Sequence, residues 1–594
     1  MYNQIWGYSR IACWSSLVLL AVLLQSCTLA RPAAAGAAMP RGASADLPAA
    51  GGPPAPAGEI TLTVDMTAER RAISHFIYGM NFAPEALAGE LDLPINRWGG
   101  NSTSRYNYQT DLSNHAADWY FQNIKQSDAT GMPGDSAANR FIEQNRRTGT
   151  QTLLTLPMSG FVANGVEKAC GFDVRAYGPQ QSVDPYPPYE CGNGVRPDGT
   201  HITGNNPLDA SIAAPPSFTA GWVDLLKGTY GAAADGGVRF YNLDNEPDIW
   251  FETHRDVRPT GWKYREFRDE TIAYAAAVKA VDGGAQLLGP VVNGWTYYWH
   301  GAYDGQRGDW ATPDDRLDNG DMPFVPWYLQ QMKQYEDENG VRLLDYLDLH
   351  YYPQAPGVAL SSAGDAATQA LRLRSTRALW DPTYVDESWI EDAGPDGGVV
   401  KLIPRMRAWV DQYYPGTKLA VSEYNWGALD HINGALAQAD VLGIFGREGL
   451  DLATLWAPPE TNDPGAFAFR MYRNYDGEGG KFGEISVRAT SSAQEVLAIY
   501  AAQRMADGKL TVLVINKSST EQTGALRLGN VEPLPAAFYR YSADDLTQIV
   551  DGGEFSLEGG VNRMLFPAQS ITLLVTGAPA ASNSHSVYLP ALRR

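Results

Sequence analysis

Between residues 73 and 460, short apolar runs alternate with longer amphipathic segments. Eight of the runs read as strands: Ile73–Phe82, Pro94–Gly100, Gln151–Met158, Val238–Leu243, Gln286–Val292, Leu343–His350, Lys418–Glu423 and Leu452–Ala457. Helical segments fall between them, as at Asp135–Thr148, Phe267–Ala280, Val325–Glu338, Val400–Tyr413 and Gly434–Glu448. Eight strand–helix units in series predict an α/β chain folded as a (β/α)8 TIM-like barrel, because parallel strands need crossover helices. Two strands run out into polar residues, Val238–Leu243 into Asp244-Asn245-Glu246 and Lys418–Val421 into Ser422-Glu423. In such barrels the C-terminal strand ends face the active site.

After residue 485 the rhythm shortens. Thr511–Asn516, Gly524–Leu528, Ala536–Tyr541, Glu554–Leu557 and Ser570–Val575 are short strands separated by Gly, Pro, Asp and Asn turns, and Ile60–Asp65 alternates in the same way. The pattern predicts an attached antiparallel β-sandwich built from 485–577 together with the early strand in 59–72, leaving 73–484 for the barrel. A tail, 578–594, carries no assigned role.

The first 27 residues read as an export signal: Arg10 is followed by an apolar stretch from Ile11 to Leu24, too short for a confident membrane span. Leu24-Gln25-Ser26-Cys27 resembles a bacterial lipobox, which makes Cys27 a lipidation site; ordinary cleavage in the Ala-rich stretch downstream is the other route. An exported chain, extracellular or held at the cell surface, is expected on both. A lipid anchor is the one membrane attachment foreseen. Residues 28–58, rich in Ala, Pro and Gly, read as a linker, since they lack the apolar side chains that offset ordering entropy. Cys170 and Cys191, the two cysteines beyond the signal, read as one loop-stapling disulfide; no His or second Cys sits at zinc-ligand spacing beside either.

The net charge of −21 argues against nucleic acid as a partner, since phosphate backbones would be repelled. Sixteen Trp and 31 Tyr exceed what the core requires, and flat, half-polar rings suit sugar faces. The sequence lacks His-Glu-x-x-His, Gly-x-Ser-x-Gly and a Gly-Lys-[Ser/Thr] phosphate loop.

Two carboxyls remain. Glycosidic bonds are cleaved by one protonated and one ionised carboxyl, whose surroundings push their pKa values apart. Glu246, in Asn245-Glu246-Pro247, is released from the sheet by the proline, and Glu423 ends the seventh strand. Facing each other across the mouth, they supply the pair. Asn245 can donate to a sugar 2-hydroxyl, and Tyr424 and Trp426 offer ring faces.

Arg97-Trp98-Gly99-Gly100-Asn101-Ser102-Thr103-Ser104-Arg105-Tyr106, Asn245-Glu246-Pro247, Leu349-His350-Tyr351-Tyr352-Pro353 and Ser422-Glu423-Tyr424-Asn425-Trp426-Gly427 together resemble glycoside hydrolase family 44, over about Ile60 to Gly577. The resemblance implies retaining hydrolysis of internal β-1,4-glucosidic bonds in xyloglucan, carboxymethyl cellulose and related plant polysaccharides. It matches Glu246 to the acid/base and Glu423 to the nucleophile, with carboxyls about 5–5.5 Å apart. It implies no cofactor for catalysis, and structural calcium, zinc in some members, with no ligand set assigned. A monomer is expected. The Cys170–Cys191 loop is longer than the family pattern. Glu246 is expected to start protonated because the charge of Glu423 is near.

Further substrate contacts are expected from Trp98 and Asn101 after the second strand, from His350 and Tyr352 at the sixth, from Trp456 as a platform at the eighth, and from Trp389 in the loop after the sixth. A barrel glycosidase of other specificity, such as a xylanase or mannanase, and a carbohydrate-binding protein without turnover are the competing readings.

Overall fold

The computed structural model describes residues 59–577, apart from 309, 394, 530–533 and 559. The leader-like segment with Cys27, the linker and the tail lie outside the described residues. Eight strands close into a parallel barrel in chain order: Gly79–Asn81, Ile95–Trp98, Gln151–Leu156, Phe240–Leu243, Gln286–Val292, Tyr346–Leu349, Lys418–Tyr424 and Leu452–Leu455, the last pairing with the first. The TIM-like barrel expected from the alternation is therefore present. Its first strand is shorter than predicted, because the Ser74 hydroxyl accepts from the Phe76 amide and starts a 3-10 turn over His75–Tyr78.

Side-chain parity along the strands separates the barrel floor from its mouth. Ile95, Leu153, Phe240, Leu288, Tyr346, Ala420 and Leu452 meet inside the N-terminal end, with Phe76 packed against them. Two residues further along, the same inward parity delivers Arg97, Asn242, Asp348 and Ser422, all buried. The pleat thus converts an apolar floor into a polar mouth. In the seventh strand a register shift between Val421 and Tyr424 breaks the alternation, so that Ser422 and Glu423 both contribute to the mouth.

The second domain is the attached sheet domain that the short strands predict, mostly antiparallel in its pairing. Its strands join in one sheet whose main path runs Asp545–Leu557, Leu534–Ser542, Ser570–Thr576, Leu510–Asn516, Leu497–Gln503, Ile485–Ser491, Ile60–Asp65, Gln522–Leu528 and Val561–Phe566. Ile60–Asp65 pairs in parallel with Gln522–Leu528; the other pairings are antiparallel. Leu497, Ile499 and Ala501 face the domain's own core, whereas Ala498, Tyr500 and Ala502 join the cluster of the barrel helices. Burial on both faces removes the alternation by which such strands are read. The Asp-rich stretch at 314–321 forms the short helix Asp314–Asp318, with Asp315 buried and accepting from the Tyr264 amide.

Asp440, on helix Ile432–Glu448, fastens the two domains. Its carboxylate accepts from Lys517 Nζ at 2.6 Å, Thr376 Oγ1 at 2.6 Å and Tyr500 OH at 2.8 Å, in surroundings closed to water. Removing one partner of a buried ion pair strands the other charge, so Lys517→Met is expected to lower unfolding stability by about 3–5 kcal/mol. Denaturant unfolding checks this; a loss under about 1 kcal/mol, typical of exposed pairs, would contradict the role given to Asp440.

Candidate active site

The mouth is organised around Arg97, which has no solvent exposure. Its Nε donates to Asn242 Oδ1 at 2.7 Å and its Nη2 to Asn245 Oδ1 at 2.9 Å. Nη1 serves both Asn81 Oδ1 at 3.0 Å and Glu423 Oε1 at 2.7 Å. The guanidinium needs the space that Gly99 leaves empty: a Cβ there would stand 2.2 Å from Arg97 Cζ. Gly100 follows with φ 89°, open to glycine, and a Cβ on it would meet Trp456 at 2.7 Å.

Glu423 is held from both sides, by Arg97 at Oε1 and by the Tyr352 hydroxyl at Oε2, 2.9 Å away. Glu246 is placed differently. It stands just past the fourth strand on left-handed backbone, φ 43° and ψ 54°, as N-cap of the turn Pro247–Ile249. Asp244 also has positive φ, 69°, and its carboxylate accepts from the amides of Ser159, at 3.2 Å, and Asn245. Non-glycine residues in this region store about 1–3 kcal/mol each and persist where surrounding structure fixes them. Glu246 Oε1 receives Asn293 Nδ2 at 2.9 Å and faces His350 Nδ1 at 3.0 Å, which leaves Oε2 for the cleft. On the other side of the ring, His350 Nε2 lies 3.2 Å from Ser422 Oγ.

Burial pushes the Glu246 carboxyl up to about 6, against the lowering effects of Asn293 and Arg97. The cause is therefore desolvation and not the charge of Glu423, which corrects the expectation from the sequence. Burial likewise pushes His350 down to about 4, so the ring is neutral. A hydroxyl proton from Ser422 on Nε2 and a ring proton on Nδ1 directed at Glu246 satisfy that tautomer.

The sequence-derived contacts divide into three groups. Asn245, Asn101, Trp456 and Trp389 lie at the mouth. Asn101 Oδ1 accepts from Asn245 Nδ2 at 3.4 Å, Trp456 is half-buried, and Trp389 Nε1 donates to Gln354, which in turn donates to the Tyr352 carbonyl. His350 and Tyr352 are buried and touch the two carboxyls, which places them to position those groups. Trp98, Tyr424 and Trp426 do not line the mouth. Trp98 has the outward parity and packs on Phe82, Tyr106 and Phe141. Tyr424 packs against Phe445, and its hydroxyl accepts from Gln438; Trp426 is buried with its N–H on Ser375. Parity past a strand end decides these three, and the bulge that re-aims Glu423 leaves Tyr424 outward.

Several site residues were not singled out from the sequence. Arg97 and Asn293 both stand at strand ends, the signal that found the two carboxyls. Phe82 is 40% exposed and edge-on to Trp456, which makes it a ring at the mouth. Asp118 reaches the site from a distant turn and left no local signal.

Glu246, His350 and Glu423 present atoms within 4.8 Å of one another, the one such acid and histidine cluster among the described residues. Its single imidazole and the Arg97 guanidinium on Glu423 do not fit the oxygen cage that calcium requires, so this cluster is not a calcium site. Two carboxyls in one mouth, one buried beside neutral groups and one on an arginine, suit acid–base work at a glycosidic bond.

Residues 112–355 match the profile of glycoside hydrolase family 44. The structure aligns with that of CelM2, a bifunctional glucanase-xylanase protein from a metagenome library, at TM-score 0.83 and 42% identity, covering 88% of this chain and 99% of that one. The chain belongs to glycoside hydrolase family 44. Among other relatives, a Paenibacillus polymyxa xyloglucanase of family 44, solved with xyloglucan, aligns at TM-score 0.73 and 29% identity over 87% of this chain and 99% of that one. Endoglucanase A of Paenibacillus lautus is 32% identical over 79% of this chain, which spans 65% of that protein.

In this family 44 protein the space at Gly99 keeps Arg97 on Glu423. Gly99→Ala is expected to lower stability by about 1–3 kcal/mol through overpacking. A crystal structure of the variant should show the guanidinium withdrawn from Glu423; an unmoved Arg97 at wild-type stability would contradict this.

Proposed function

We propose that the protein is a retaining endo-acting glycoside hydrolase that cleaves internal β-1,4-glucosidic bonds of plant polysaccharides, xyloglucan and cellulose derivatives among them. The observation that carries the reading is the pair itself. Carboxyl oxygens of Glu246 and Glu423 lie within 4.8 Å, close to the retaining separation and short of the roughly 6.5–9.5 Å that inversion uses to admit water. In the first step a Glu423 oxygen bonds to the anomeric carbon, the glycosidic C–O bond breaks, and the Glu246 proton passes to the departing oxygen. In the second, Glu246 takes a proton from water, the water oxygen bonds to the anomeric carbon, and Glu423 leaves as carboxylate. Asn245 has one amide hydrogen free for the sugar 2-hydroxyl, and Trp456 and Phe82 offer ring faces beside it. No cofactor enters this scheme.

The activities of the relatives, endoglucanase, xyloglucanase and glucanase-xylanase, support the substrate class. The 42% identical CelM2 favours xylan as a second substrate. Export is supported by the leader-like sequence and by the Cys170–Cys191 disulfide, with Cα atoms 5.7 Å apart, which suits an oxidising compartment.

Release of reducing ends from xyloglucan, carboxymethyl cellulose and xylan tests the reading. Oligosaccharides first appearing as the β-anomer are expected, with loss of release in Glu246→Gln and Glu423→Gln. Monomers alone, an inverted anomer, or release unchanged in either variant would overturn it.

The pH dependence has a definite sign. The first step needs Glu246 protonated, so kcat/KM should fall as pH rises through about 6. In Glu246→Gln, assayed on an aryl glycoside whose leaving group needs no proton, that limb should vanish. A limb that persists there belongs to another group.

A further inference from the structure

One carboxyl at the mouth has no part in the two steps above. Asp118 lies on the 3-10 turn Ala116–Trp119, and both its oxygens face Asn101 Nδ2, at 3.2 and 3.3 Å. With its nitrogen committed there, Asn101 turns Oδ1 to Asn245, whose Nδ2 donates at 3.4 Å. The other end of the Asn245 amide is already filled, because Oδ1 accepts from Arg97 Nη2 at 2.9 Å and from the Gly100 amide at 3.2 Å. A continuous polar path therefore runs from Asp118 through Asn101, Asn245 and Arg97 to Glu423.

The chemistry of the groups gives this path a direction. A primary amide can turn end for end with little change in shape, so its hydrogen-bond partners decide which way it faces. An ionised carboxylate only accepts, and it admits only the nitrogen of Asn101. Burial pushes the Asp118 carboxyl up to about 7, and the charges of Glu246 and Glu423 add to the rise, which places it in the field of both. Both oxygens face Asn101 Nδ2, which the acceptor-only ionised form enforces most strictly; when protonated, one oxygen still accepts there.

The turn that carries Asp118 is itself braced by the disulfide loop. The Gly171 amide donates to the Phe121 carbonyl at 3.1 Å, Gln122 bridges to Cys170, and the Phe121 and Phe172 rings meet edge to face at 4.8 Å. Trp119 stacks on Tyr186 of the same loop. The carboxyl is therefore placed by backbone, independently of the amides it orients.

We propose that Asp118 is a positioning residue of the active site, which through Asn101 holds the nitrogen end of the Asn245 amide, whose oxygen Arg97 and Gly100 hold, and so tunes its contact with the sugar at the cleaved bond. The proposal rests on the glycosidase reading above.

A double-mutant cycle on the full chain tests it, with kcat and KM measured on an aryl β-cellooligoside. Asp118→Ala is expected to lower kcat about 10- to 100-fold, the scale of a small misplacement, with KM changed less than about twofold. In an Asn245→Ala background the same change should add less than about twofold, because the amide it orients is gone. Asp118→Asn keeps an oxygen acceptor and should restore most of the rate; Asp118→Ser serves if the alanine variant does not fold. Effects that multiply in the double variant, a loss confined to KM, or an asparagine variant no better than alanine would overturn the proposal. A crystal structure of Asp118→Ala reads the amides without turnover: Asn101 and Asn245 turned or displaced is the expected result, and both unmoved the contrary one. If the wild type shows no hydrolysis, the glycosidase reading fails, and the crystallographic arm still decides the role of Asp118.

Discussion

A single buried guanidinium fixes the geometry on which the mouth of the barrel depends. Taking a cation wholly out of water is expensive unless every donor finds an acceptor. Four of the five N–H groups of Arg97 find one, at three strands: Asn81 ends the first, Asn242 lies in the fourth, Asn245 follows it, and Glu423 lies in the seventh. Satisfying one charge therefore sets the relative positions of strand ends far apart in sequence. It also keeps Glu423 beside a permanent positive charge, the environment an ionised carboxylate needs.

Glu246 stands outside that cationic grip. It sits past its strand on strained backbone, buried, next to a neutral histidine and an asparagine amide. The protein thus differentiates two identical side chains by their surroundings: desolvation with neutral partners for one, an arginine and a phenol for the other. Asp118 and Asn101 extend this scheme sideways, so that the amide flanking the pair is oriented by groups remote from the bond being cleaved.

Much of this was legible in the chain. The barrel followed from eight short apolar runs separated by amphipathic segments, and both carboxyls were found because their strands run out into polar residues. What was missed is nonlocal. Trp98, Tyr424 and Trp426 are aromatic residues near strand ends, yet parity turns all three away from the mouth, and the bulge that brings Glu423 inward has no composition of its own. The strand Leu497–Gln503 is buried on both faces and shows no alternation to read. The parallel pairing of Ile60–Asp65 with Gln522–Leu528 joins segments from opposite ends of the fold. Asp118 enters the site only because a turn and a disulfide-closed loop are packed together.

Burial holds the Glu246 carboxyl protonated up to about pH 6, across from an arginine-bound Glu423. Isotope-edited NMR of the glutamate side-chain carboxyls, with Glu246 assigned by its glutamine variant, measures that proton directly. A midpoint of about 6 is expected for Glu246 in the free protein. A midpoint in the ordinary glutamate range, near 4.3, would show that burial does not hold the Glu246 proton and would contradict this.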